Sequence, residues 1–227
     1  MAIEFPRGGS ANGRIVGMGE THLPCAVLVD TSGSMSGAMA DLNRGLEDLR
    51  AEIMSNDEAR GKVELCVIRF DDAVQIAHPF TSAYDYVSPE LDCGGMTCMY
   101  EAVDVAIGEI QERRRQYKSR GVSSYKPFVF LLTDGGANDA NNGSFDRLMR
   151  LQTDDRWNYI PVAVGPEADV EFLKANNANG FVLVSGKDNF ENIFKFLSDS
   201  LSSVSSSRPG EAAKAPAPDN YQLIFNA

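Results

Sequence analysis

Histidine is scarce in this sequence of 227 residues. There are two, His22 and His78, and four cysteines. Neither histidine lies near a CxxC pair, which argues against a zinc site. No apolar run approaches the length that spans a bilayer as a helix. Residues 1–20 are glycine-rich and lack the apolar core of a signal peptide, so the expected location is the cytoplasm. In that reducing compartment Cys93 and Cys98 are expected to be free thiols rather than a redox clip. Cys25 and Cys66 fall in apolar runs and are expected to be buried small hydrophobes. Basic charge is also short: the net charge is −11. A nucleic-acid-binding chain normally presents a basic face, so that class is disfavoured. The one basic tract, Arg113-Arg114-Arg115-Gln116-Tyr117-Lys118, closes a helical pattern and reads as complementing the helix dipole.

What is present is enough apolar residue, 43%, for one large core. The length fits a single α/β domain with tails. Residues 1–22 read as a flexible leader, 23–205 as the domain, and 206–227 as a Ser/Pro/Ala-rich linker with a C-terminal apolar segment. That segment, Tyr221-Gln222-Leu223-Ile224-Phe225, is expected to fold back along the domain rather than to serve as a docking peptide. Strand-like runs lie at 24–29, 62–70, 73–78, 127–133, 159–164 and 181–184. Helical stripes alternate with them: Leu42, Leu46, Leu49 and Ile53 in the first, Met99, Val103, Ile107 and Ile110 in the second. The second helix is expected over Cys98 to about Arg114. Shorter ones follow near 144–151 and from Asp169, and the last aligns Phe190, Phe194, Leu197, Leu201 and Val204. Alternation of this kind predicts a mainly parallel, Rossmann-like doubly wound sheet of six strands, with helices on both faces and one antiparallel edge strand.

Three segments carry the chemistry. Asp30-Thr31-Ser32-Gly33-Ser34 follows the apolar run Cys25 to Val29 and precedes a helix. One carboxylate and two hydroxyls at alternate positions on a turn suit a hard divalent cation; the plainer reading is a Ser-rich turn with an N-cap. Gly94-Gly95-Met96-Thr97 opens the second helix, where Thr97 by itself reads as an N-cap rather than a ligand. Phe128 to Thr133 is an apolar strand closed by Asp134-Gly135, which alone reads as a turn. All three lie at strand ends or adjoining loops, the edge where open α/β sheets bind ligands.

In this order, DTSGSMSG, GGMTCMYEA and FVFLLTDG resemble the von Willebrand factor A (vWA) domain with its metal-ion-dependent adhesion site, and most resemble the bacterial tellurite-resistance TerY-like family. Asn43-Arg44-Gly45-Leu46, Val67 to Asp71 and Pro161 to Gly165 extend the resemblance to roughly residues 24–204. The loop Gly135-Gly136-Ala137-Asn138-Asp139 lacks a proline often found in that branch. The resemblance implies a vWA fold and a metal set of Asp30, Ser32, Ser34, Thr97 and Asp134. Magnesium, or else manganese or calcium, is the implied ion. Ser32, Ser34 and Thr97 would hold it directly, and Asp30 and Asp134 directly or through water. One position would remain for a protein partner's Glu or Asp. It further implies a stress-response or defence setting with kinase or phosphatase partners, and no membrane partner.

Three functions are open at this point. One is a metal-dependent protein-interaction module. Another is a metal-dependent phosphohydrolase, weakened because no base lies near the motif and Ser32 stands where an acid/base Asp would be wanted. The last is a structural domain whose metal tethers loops. No catalytic residue is expected. Met96 and Tyr100 are candidates for an apolar rim facing the partner, while Met99 fits the buried stripe.

Overall fold

In the computed structural model, residues 21–179, 181–185, 190–206 and 222–225 are described. The strands are β1 (Leu23–Asp30), β2 (Val63–Phe70), β3 (Val74–Ser82), β4 (Phe128–Thr133), β5 (Asn158–Val164), β6 (Phe181–Ser185) and β7 (Gln222–Phe225). The helices are α1 (Met39–Ser55), α2 (Met99–Ser119), α3 (Ser144–Thr153), α4 (Val170–Ala175) and α5 (Phe190–Ser206), with a 3₁₀ turn at Gly33–Gly37 ahead of α1. The sheet order is β3-β2-β1-β4-β5-β6-β7.

Every residue of β1 and β4 is buried. A near-continuous apolar run is what a central parallel strand requires, because helices cover both of its faces. Alternate residues of β1 feed two cores. Cys25, Val27 and Val29 pack with α1 and α5, and Ala26 and Leu28 pack with α2, α3 and α4. Gly45 allows α1 to approach α5: a Cβ there would lie 2.1 Å from the Phe194 ring. That contact outweighs the usual cost of glycine within a helix.

Two expectations about the sheet change. It has seven strands, not six, and both edges are antiparallel, β3 on β2 and β7 on β6. The added strand is the C-terminal segment: Gln222–Phe225 pairs with Phe181–Val184, the fold-back expected for it. The five strands between the edges are parallel. Tyr221, most of the expected linker and the first twenty residues lie outside the described set. Ser206 belongs to α5 rather than to the linker.

The expected leader also ends sooner. His22 is 1% exposed and bridges to Ser124. Helix α2 runs to Ser119, past the expected end at Arg114. Its buried stripe continues through Arg113 and Tyr117, because both reach Glu64 of β2. Arg113 Nε donates to Glu64 Oε2 at 2.6 Å, and the Tyr117 hydroxyl donates to the same oxygen.

Candidate metal centre

The site begins where β1 ends. Asp30 is its last residue and is fully buried. Its Oδ1 accepts the backbone N–H of Ser32 at 2.8 Å, and its Oδ2 accepts the Thr133 hydroxyl at 2.5 Å. The carboxylate therefore folds the turn back on itself and ties it to the end of β4. The Ser32 and Ser34 hydroxyls lie 3.1 Å apart, and Ser34 Oγ donates to Asp134 Oδ1 at 2.6 Å. Asp30, Ser32, Ser34 and Asp134 thus form one connected cluster from two strand ends a hundred residues apart.

The Gly94–Thr97 loop is laid over this turn by its backbone. Gly94 N–H donates to Thr31 O at 2.8 Å, and Gly33 N–H donates to Gly95 O at 3.2 Å. Gly95 has φ +76, and a Cβ there would strike the Asp72 carboxylate at 2.5 Å; only glycine fits that close turn. Thr97 is buried, and its carbonyl accepts the N–H of Asn138, a residue of the loop after Asp134, at 2.9 Å. All five expected residues are therefore on one edge of the sheet.

The plainer readings of these residues do not hold. Ser32 is at the N-cap of the 3₁₀ turn but makes no side-chain cap bond. Cys98, not Thr97, is the N-cap of α2, again without a side-chain cap bond. The first turn of α2 is satisfied from a distance by Asp139, whose oxygens accept Tyr100 N–H at 3.1 Å and Glu101 N–H at 2.9 Å. Asp139, Thr133, Asp71 and Asp72 are supporting residues that the motifs did not single out. Asp71 accepts the Thr31 hydroxyl at 3.2 Å, and Asp72 accepts Met96 N–H at 2.9 Å.

Two carboxylates, Asp30 and Asp134, meet in this cluster. Burial raises the Asp30 carboxyl above its ordinary range, and the charge of Asp134 adds to the rise. Hydrogen bonds from the Ser32 side chain, Thr133 and the Ser32 backbone oppose it. The Cys98 thiol is raised as well, by burial first and then by Asp139, Glu101, Asp72 and Asp71. A buried carboxylate without a counter-ion is costly; a divalent cation among these oxygens would remove that cost. Hydroxyl and carboxylate donors are the set a hard cation takes, so the residues present fit magnesium, manganese or calcium.

Neither histidine is near. His22 is at the start of β1, the opposite end of the strand from Asp30. His78 is in edge strand β3, with Nδ1 2.8 Å from Pro79 O and its ring against Tyr86. Around the cluster, Met96 is 57% exposed and Met99 is fully buried, as expected. Tyr100 is half-buried, with its ring edge-on to Phe145 and Phe172, so the apolar rim rests on Met96 more than on Tyr100.

Residues 25–137 match the family model for the von Willebrand factor type A domain. Among solved structures, the pilus adhesin SpaC from Lactobacillus rhamnosus GG aligns with TM-score 0.65 at 10% identity, over 82% of this chain and 30% of that one. The vWF domain of the type V pilus tip protein Mfa5 from Porphyromonas gingivalis aligns with TM-score 0.56 at 9% identity, over 85% and 98%. Proximal thread matrix protein 1 from the mussel byssus, with a zinc-occupied MIDAS motif, aligns with TM-score 0.53 at 18% identity, over 81% and 46%. The chain thus spans about half the length of the mussel protein. A search of curated proteins returns no match. At these identities the structural likeness speaks for the fold alone, and the family match speaks for the segment holding all three motifs. Residues 25–137 thus match the von Willebrand factor type A domain, a family of metal-binding and protein-interaction modules, and the chain has the vWA fold.

Proposed function

We propose that the chain is a metal-dependent protein-interaction module in which the Asp30–Ser32–Ser34–Thr97–Asp134 edge holds a divalent cation, magnesium in the first place. The observation that carries this reading is the buried Asp30 carboxylate. It is linked through Ser32 and Ser34 to Asp134, and the carboxylate and hydroxyl oxygens so gathered are the donors a hard cation takes. When bound, the cation would supply a concentrated positive charge to which a partner's Glu or Asp can bind. Ser32, Ser34 and Thr97 are neutral donors, so only Asp30 and Asp134 offset its charge, and a third carboxylate from a partner is electrostatically favoured. The Asp30–Ser32 and Asp30–Thr133 bonds hold the turn in place before binding. Exposed Met96 offers an apolar contact beside the site.

Hydrolysis is not part of this proposal. The Ser32 and Ser34 hydroxyls bond each other and Ser34 bonds Asp134, and both histidines lie elsewhere. The reading also covers the setting. A tellurite-resistance-like stress or defence system, with kinase or phosphatase partners, is supported by the likeness of the three segments to the TerY-like branch. A cytoplasmic location belongs to the same reading. No helix among the described residues is long and apolar enough to cross a membrane.

The test is capture of proteins from host extract with the purified chain, in magnesium and in chelator. Specific partners retained in magnesium, released by chelator and lost with Asp134→Ala of unchanged circular dichroism are the expected result. Capture unaffected by chelator rejects the reading. Phosphoester turnover lost with Asp30→Ala would replace it with the hydrolase.

A further inference from the structure

The opposite edge of the sheet holds a second feature. The C-terminal half of α2, the Gly121–Ser124 turn and the connection from α3 to β5 line an open cavity of about 550 Å³. Arg114, Arg115, Lys118 and Arg156 line it, on a chain whose net charge is −11. Arg115 is engaged by Glu112 at 2.6 and 2.9 Å. Arg114 donates to Ser124 Oγ at 3.3 Å. No ion pair to Arg114, Lys118 or Arg156 is present among the described residues. Burial and the like charge of Arg156 together lower the Arg114 pKa. Two guanidinium groups therefore share the cavity with no carboxylate to neutralise them.

The helix dipole accounts for only part of this. Lys118 is in the last turn of α2. Arg114 lies more than a turn further in, and Arg156 is outside any helix. Arg156 is placed by a tight helix exit. Asp155 has φ +53, a left-handed conformation that aspartate tolerates better than most residues. Asp155 N–H bonds Gln152 O at 2.9 Å, and Arg156 N–H bonds Leu151 O at 3.0 Å; together these make a Schellman closure of α3. The carboxylate of Asp155 turns to Lys126 instead of to Arg156.

We propose that this cavity binds a compact small molecule bearing a diphosphate group. Three cations without an ion pair among the described residues, Arg114, Lys118 and Arg156, match a diphosphate better than a single carboxylate. The planar fork of arginine suits phosphate oxygens. The volume is in the range of small-molecule sites. The acidity of the chain as a whole opposes a long polyanion, whose binding needs many phosphate contacts.

The only tryptophan of the chain, Trp157, lines the cavity and serves as the reporter. Pyrophosphate is titrated into the full chain in chelator, which removes the metal edge from the experiment, and is followed by Trp157 fluorescence and by calorimetry. Saturable one-to-one binding is expected, weakened roughly tenfold or more in Arg156→Gln or Arg114→Gln and weakened by salt. Arg156 is exposed, so Arg156→Gln is expected to keep the fold, with circular dichroism as the check. ADP is the second probe. Tighter binding of ADP than of pyrophosphate supports a diphosphate attached to an organic group, and equal binding supports a site that reads the diphosphate alone. No heat of binding, or undiminished affinity in Arg156→Gln, overturns the site. A single-stranded oligonucleotide binding more tightly than either probe overturns it too. The metal edge is not involved in any of these outcomes.

Discussion

Glu64 and Asp30 are both fully buried carboxylates on adjacent strands of one sheet, at opposite edges. They differ in the charge beside them. Glu64, near the start of β2, receives Arg113 Nε at 2.6 Å and the Tyr117 hydroxyl, and His22 Nδ1 lies 3.4 Å away without hydrogen-bond geometry. The guanidinium is held above its ordinary pKa: burial lowers it, and Glu64 and Tyr117 together outweigh burial. Asp30, at the end of β1, has hydroxyls and one backbone N–H as its partners among the described residues, and the like charge of Asp134 acts on it. One carboxylate is neutralised within the fold. Under the proposed function the other is balanced by a bound cation. On that reading the difference separates a carboxylate that serves the fold from one that serves binding, though their burial is the same.

The largest expected effect tests the closed edge. Glu64→Ala strands Arg113 and the Tyr117 hydroxyl and should cost about 3–5 kcal/mol, read by urea unfolding. Asp30→Asn removes a charge with no ion-pair partner among the described residues. In chelator it should change stability by less than about 1 kcal/mol, because the like charge it relieves offsets a weakened hydrogen bond. Equal losses in the two variants would break the comparison.

Next in size is Gly95→Ala. Left-handed strain and the Asp72 contact should cost about 1–3 kcal/mol and should weaken manganese binding as well, since Gly95 lies over the Ser32 turn. Stability lost with full metal binding would show that the loop's position does not matter to the site.

The tyrosines give a pH test of the closed edge. Burial raises the Tyr117 pKa well above its ordinary value, with Glu64 adding to the rise. Tyr86 and Tyr159 are raised by burial too. A raised folded-state pKa means stability that is complete below the unfolded value, about 10, and is lost as pH climbs past it. Tyrosinate absorbance from these three should therefore emerge together with unfolding. Ionisation of all seven tyrosines in a still-folded chain would contradict the closed edge.

The smallest effect belongs to the open edge. Magnesium near its dissociation constant should raise stability by less than about 1 kcal/mol, because two carboxylates and three hydroxyls bind it weakly without a partner. A chain that unfolds when metal is removed would make the metal structural.

Much of this arrangement is legible in the sequence, for a physical reason. Central strands are buried on both faces, so β1 and β4 are unbroken apolar runs, and the residues that end them fall on the ligand edge. Asp30 and Asp134 are marked in this way. What supports them is not marked. Asp139 caps a helix that begins forty residues earlier, and Thr133 serves Asp30 across the sheet. Neither leaves a local pattern. The end of α2 was hidden because Arg113 occupies a stripe position that an apolar residue would normally fill, and its partner Glu64 is forty-nine residues away. Strand β7 was legible as an apolar pentamer, but its place as a second antiparallel edge depends on pairing with β6, which no spacing encodes.

The most direct measurement is manganese binding followed by electron paramagnetic resonance, in the wild-type chain, Asp134→Ala and Ser34→Ala, with glutarate added as a stand-in for a partner carboxylate. The account predicts one ion per chain, held more tightly when glutarate is present and lost in both variants. Manganese bound equally well by Asp134→Ala, or indifferent to glutarate, would contradict it.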